Sequence, residues 1–121
     1  MSTLVAQTIS NGTVSTSSAN VIQGSAKAWV NYKGTATRGI NASYNVSSVT
    51  FNSTGNYTVN FTNAFADANY SAVASAKRPA GSTEAPIMYT ETFNTNSIAI
   101  NNAQPGVNNY DSSIISVAVF R

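Results

Sequence analysis

Val49-Thr50-Phe51-Asn52-Ser53-Thr54-Gly55-Asn56-Tyr57-Thr58-Val59-Asn60-Phe61 is the stretch that decides the fold. Val49 and Phe51 alternate with polar residues before Asn52-Ser53-Thr54-Gly55-Asn56, and Tyr57, Val59 and Phe61 alternate after it. A period of two on both sides of a turn-forming loop predicts a β-hairpin with one buried face. Toward the amino terminus, Ala26 to Tyr32 reads as a strand closed by Lys33-Gly34. Arg38 to Val46 holds another, with Ile40, Ala42 and Tyr44 on one face. Toward the carboxyl terminus, Phe65 to Asn69 reads as a connection. Tyr70 to Lys77 is a low-bulk strand of Ser and Ala around Val73, suited to close packing against another surface. Arg78-Pro79-Ala80-Gly81 is a turn, and Met88–Phe93 and Ser97–Asn101 pair across Asn94-Thr95-Asn96. After a loop from Ala103 through Asn109, Ser113 to Phe120 is apolar on both faces, which places it in a sheet interior or at a subunit contact. About seven strands at a spacing of roughly 8–12 residues predict an all-β chain, a compact antiparallel β-sandwich or jelly-roll-like domain. There is no internal repeat and no helix-length 3.6-residue periodicity.

Composition agrees. The chain has 121 residues, the length of one ordinary domain, with one Leu (Leu4) against 33 Val, Ile and Thr. β-Branched and aromatic residues suit a pleated, half-buried surface, whereas helical cores favour Leu. Ser (17), Thr (14) and Asn (16) replace charge: only 8% of residues are charged, against about 25% in a typical domain. Such a surface repels its own copies weakly, so assembly with neighbours is expected.

Residues 1–24 stand apart. They carry the aliphatic clusters Leu4-Val5, Ile9 and Val21-Ile22 among Ser, Thr, Asn and Gly, with no aromatic and no charged side chain. This segment buries too little to fold alone and reads as an extended N-terminal arm that orders against a partner surface. The division is therefore an arm, 1–24, and a β-sandwich domain, 25–121. The first residues show neither a basic n-region nor a continuous apolar h-region, so no signal peptide is expected. No apolar run approaches membrane-spanning length, and no membrane partner is expected. Seven Asn-x-Ser/Thr sequons occur, but 16 Asn among 31 Ser and Thr give roughly four by chance.

The chemistry available is narrow. Without Cys there is no disulfide, thiolate nucleophile or zinc-thiolate site. Without His the commonest general base and metal ligand are missing. The net charge of +2, from six scattered cations, is too small for a nucleic-acid-neutralising surface. Enzymatic readings must be built from Asp67, Glu84, Glu91 and Asp111, which nothing pairs. Neither Ser-x-x-Lys nor Gly-x-Ser-x-Gly occurs. No catalytic activity, cofactor or metal is expected. Asn108-Asn109-Tyr110-Asp111 offers oxygen ligands of the type Ca²⁺ accepts, but Asn-rich turns are common without any ion. Trp29, inside an alternating strand, is expected in the core. Lys27, Lys33 and Arg38 lie close in sequence and read as a solvated rim or a cluster that meets an acidic partner. With Leu4, Val5, Ile9, Val21 and Ile22 of the arm they are the candidate partner-binding residues.

Gly24 to Thr35 (GSAKAWVNYKGT), Ile40 to Val49 (INASYNVSSV), Gly55 to Thr62 (GNYTVNFT), Ala66 to Tyr70 (ADANY) and Val117 to Arg121 (VAVFR) form an ordered set. This order resembles small structural proteins and tail-fibre-like domains of tailed bacteriophages, especially those infecting cyanobacteria and marine bacteria. It covers Gly24 to about Ala72 and the last few residues. The resemblance implies a β-rich, trimeric virion component and transfers no functional residue. A capsid decoration (cement) protein needs only an arm and a compact domain. It would brace the shell by binding the major capsid protein as a homotrimer. A tail-fibre or receptor-binding tip would grip host surface glycan, but a fibre also needs an attachment region and a shaft, which 121 residues scarcely provide. A carbohydrate-binding module unrelated to phage would be expected to carry a signal peptide.

Overall fold

The computed structural model describes residues 1–78, 80, 81, 83, 85–104, 106 and 109–121. Pro79 of the expected 78–81 turn, and Pro105 and Asn108 of the expected 103–109 loop, lie outside the described residues. The fold is an all-β sandwich. Its strands are β3 (Ala26–Lys33), β4 (Gly39–Tyr44), β5 (Val46–Ser53), β6 (Asn56–Phe61), β7 (Ser71–Ala76), β8 (Ile87–Phe93), β9 (Ser97–Ala103) and β10 (Ile115–Phe120). One four-stranded sheet runs β4-β3-β10-β7, the other β5-β6-β9-β8, and every pairing is antiparallel.

The deciding hairpin forms as its pattern requires. Val49 faces Val59 and Phe51 faces Tyr57 across the ladder. Its turn needs Gly55, which sits at φ +70°; a Cβ there would collide with the Asn102 carbonyl oxygen. The core comes mainly from the inner strands of each sheet: Ala28, Val30 and Tyr32 of β3, Ile115, Val117 and Val119 of β10, Tyr57, Val59 and Phe61 of β6, and Ile98 and Ile100 of β9. β10 lies in the sheet interior, as its two-faced apolarity predicts. Its outward residues Ser116, Ala118 and Phe120 are half-buried.

The 38–46 segment is not one strand. The chain leaves the first sheet at Tyr44 and enters the second at Val46, so Asn45 alone turns the corner, at φ +53°. Asn tolerates this left-handed conformation better than most residues. The Asn45 amide also donates to the Lys27 and Asn63 carbonyls (3.1 and 3.2 Å), and its Oδ1 accepts from the Asn63 N–H (2.8 Å).

The two ends of the sandwich close differently. At one end Phe61, Phe65, Tyr70 and Phe93 stack with centroid separations of 4.8–5.9 Å. At the other, Asp111 bridges elements of both sheets. Its Oδ1 accepts from the Gly55 N–H (2.9 Å) and the Tyr57 hydroxyl (2.5 Å), and its Oδ2 accepts from Arg38 (2.7 Å). The Arg38 guanidinium lies over the Phe51 ring, 3.8 Å from its centroid. The fully buried Asn102 completes the junction, donating through Nδ2 to the Tyr110 carbonyl and the Ser112 hydroxyl (2.9 and 2.8 Å).

The arm corrects the expectation of an extended segment. β1 (Thr8–Ser10) and β2 (Ser15–Ser17) form a hairpin, and α1 (Ser18–Gly24) follows, a helix that the missing 3.6-residue pattern did not announce. Local capping chemistry explains both. Asn11 Oδ1 accepts from the Thr13 and Val14 N–H groups, with Gly12 at φ +93°. The Ser17 hydroxyl caps α1 by accepting from Asn20 N–H. Residues 1–17 and 19–25 are nonetheless exposed.

Burial pulls the Asp111 carboxyl up. The hydrogen bonds from Tyr57, Gly55 and Arg38 outweigh it and hold the group below its ordinary value. A folded pKa below the unfolded one means stability that is present above the unfolded value of about 3.9 and is lost as pH falls through the folded value. Asp111→Asn is expected to cost about 1–2 kcal/mol at pH 7, the half-exposed Arg38 contributing little of it. Urea unfolding at pH 7 and pH 3 checks this: the gap between wild type and variant narrows at the lower pH, and an unchanged gap contradicts the assignment.

Candidate functional site

The described acids are engaged as follows. Asp67 takes a two-point contact from Arg121 (3.2 and 2.7 Å), which is the main reason its carboxyl lies below the usual range. Asp111 is held in the inter-sheet junction, Glu91 is exposed on β8, and Glu84 lies outside the described residues. No three acids gather into a metal-holding group among the described residues. Of the Asn108–Asp111 run, Asn108 lies outside the described residues, and both Asp111 oxygens accept hydrogen bonds, Oδ2 from the Arg38 guanidinium.

The outer face of the first sheet is the larger feature. Ala28, Val30 and Tyr32 point into the core, so Trp29 and Asn31 between them point out. This corrects the expectation that Trp29 packs the core: the alternation is real, but its phase puts the indole outside, 39% exposed. Register aligns Tyr44, Trp29, Ala118 and Val73 in one row across β4, β3, β10 and β7. The small floor residues Ser116 and Ala118, between walls made by Trp29 and Val73, leave a mostly apolar groove of about 290 Å³ that Asn31 and Ser75 also line. Asn31 is fixed there, donating to the Ser116 hydroxyl (3.2 Å) and accepting from Asn41 (2.8 Å). The groove offers apolar contact and an aromatic edge; it holds no nucleophile–base pair.

The arm gathers its own candidates. Leu4, Val5, Ile9 and Ile22, with Ala6 and Ser18, line an apolar cleft of about 370 Å³. Leu4 and Val5 are 92% and 87% exposed; Val21 is partly exposed and does not line the cleft. The three cations do not all gather: Lys27 stands apart, while Lys33 pairs with Gly39 beside Arg38. Lys27 donates to the Ile22 and Ser25 carbonyls at the end of α1, tying the arm to β3. Lys33 sits at the far end of β3, about 20 Å away at strand rise. Arg38 belongs to the Asp111 junction. Sequence reasoning missed the groove, because its walls come from residues 29 and 73, on strands that touch only through β10.

A scan against protein-family models, a search of curated proteins and a search of solved structures each returned no match.

Trp29 is the only tryptophan, so its fluorescence reports on this face alone. The native protein is expected to show emission that acrylamide quenches readily, with little further gain on unfolding. Emission shielded until the chain unfolds would return Trp29 to the core.

Proposed function

We propose that the chain is a bacteriophage virion structural protein: a homotrimeric capsid decoration (cement) protein that stabilises the shell by binding the major capsid protein. The observation that carries this reading is the arm. It presents Leu4, Val5, Ile9 and Ile22 around an open apolar cleft, and its residues are almost all exposed. Apolar surface in this state is suited to burial against a partner. Three arms on one trimer multiply individually weak contacts, so attachment rests on area and avidity rather than on a deep site. The order of residues that resembles phage structural proteins supports the same reading, and the compact sandwich supplies the rigid body between arms.

One observation favours a second reading. Trp29 and Tyr44 stand outward beside Asn31 and Asn41, the aromatic-plus-amide chemistry that suits a sugar ring. On that reading the chain is a tail-fibre or receptor-binding tip in contact with host surface glycan.

Copy number per virion separates the two. Quantitative mass spectrometry of purified particles is expected to give about one copy per major capsid subunit, hundreds in all. A few to a few tens of copies would place the chain on the tail and overturn the cement reading. Deleting residues 1–24 is expected to leave the sandwich folded and to abolish attachment to bare particles. Full occupancy by the truncated protein would remove the arm from the mechanism.

A further inference from the structure

Three of the four sheet edges are interrupted. In β4, Asn41 is skipped in the ladder with β3. In β5, Ser47 and Asn52 are skipped, and in β8 the register slips between Thr90 and Phe93. Bulges of this kind are how natural sheets discourage a further strand. β7 has none: it pairs with β10 in unbroken register over all six residues. Its sequence, Ser71-Ala72-Val73-Ala74-Ser75-Ala76, also lacks the charge or proline that commonly protects an edge.

The backbone of β7 faces a definite way. Lys77 N–H donates to the Ile114 carbonyl (2.8 Å), so Lys77, Ser75, Val73 and Ser71 turn their backbone groups toward β10. Directions alternate along an antiparallel strand. Ala72, Ala74 and Ala76 therefore turn N–H and C=O toward the open edge, while their side chains stay against the core.

We propose that β7 is the docking edge for a second copy of this chain, paired antiparallel, β7 to β7, about a two-fold axis at Ala74. With Ala74 opposite Ala74 of the second copy, Ala72 meets Ala76, and the three alanines form about six hydrogen bonds between the copies. The two first sheets become one continuous sheet, with both sandwiches on the same side. Charge selects this direction. Lys77 and Arg78 follow β7, whereas the Asp67–Arg121 ion pair lies at its other end. Antiparallel pairing sets Lys77 beside Ser71 of the second copy, at the end of the neutral Asp67–Arg121 pair, and keeps the two basic pairs apart. Parallel pairing would put four cations at one end. On the outer face Val73, 60% exposed, falls beside Ser75 of the second copy and extends the groove across the junction. An isologous contact of this kind is the commonest symmetric interface. It goes beyond the virion reading and does not rest on it. Where three-fold assembly also operates, it joins one trimer to the next.

Sedimentation velocity and native mass spectrometry of the purified full-length chain test the pairing without any particle. Wild type is expected in even numbers: dimers, or hexamers where trimers also form. Ala74→Pro removes an edge N–H at a position where proline is tolerated. Val73→Lys places like charges near the two-fold axis on an exposed site. Each variant is expected to keep its far-ultraviolet circular dichroism and cooperative melting. Each raises the dissociation constant of the even species about tenfold or more. Should Ala74→Pro fail to fold, Val73→Lys carries the test alone. Wild type found only as monomers or trimers overturns the proposal, and so does an even species that folded β7 variants leave unchanged. Association lost in Leu4→Ser/Val5→Ser but kept in the β7 variants assigns the contact to the arm and likewise overturns it.

Discussion

The Asp111 carboxylate holds together what the small core alone would leave loose at one end. It joins the turn of the β5–β6 hairpin through Gly55, the core ring of Tyr57, and the β3–β4 connection through Arg38. Gly34 fits beneath it because it has no side chain: a Cβ there would lie 2.7 Å from the Ser112 carbonyl and 2.8 Å from the Tyr57 hydroxyl. Drawing a carboxylate partly out of water is costly unless donors replace the lost water, and here a cation, a hydroxyl and a backbone N–H do so.

What was legible in the sequence were the segments whose own alternation fixes them. The 49–61 hairpin, the Met88–Asn101 pair and the closing strand all appear close to their expected limits, because period two and turn residues are local signals. Three features were not legible, each for a physical reason. Trp29 obeys the alternation of β3, but phase depends on which neighbours are buried, and Ala28 gives a weak cue beside a large indole. The break at Asn45 depends on hydrogen bonds to Lys27 and Asn63, which are far away in sequence. The hairpin and helix of the arm rest on Asn11, Gly12 and Ser17 capping their own backbone, while the apolar pattern carries no period. Of the candidate residues, the aliphatic ones of the arm come together because they share one short segment. Of the cations, Lys27 ends at α1, whereas Lys33 and Arg38 share the far end of β3, where Lys33 pairs with Gly39 beside Arg38.

Low charge shapes the rest. Where most surfaces use Lys and Glu, this one uses amides that donate to hydroxyls and other amides, such as Asn60 to Ser48 and Thr50, and Asn52 to Asn56 and Thr58. These ladders satisfy polar groups locally and place no net field around the molecule, so the approach of another uncharged surface meets little electrostatic opposition. Apolar residues exposed on such a background, notably Leu4, Val5, Trp29, Tyr44 and Val73, are the points at which contact gains most from losing water.

The arm and the groove are linked through one strand. Lys27 fixes the end of α1, and two residues later on the same strand Trp29 forms the groove wall. A partner seated in the groove meets a wall already braced by the β3–β10 ladder behind it. The groove and the strand that Lys27 ties to the arm thus both belong to the first sheet. The second sheet is set apart from it by the bulged edges of β5 and β8.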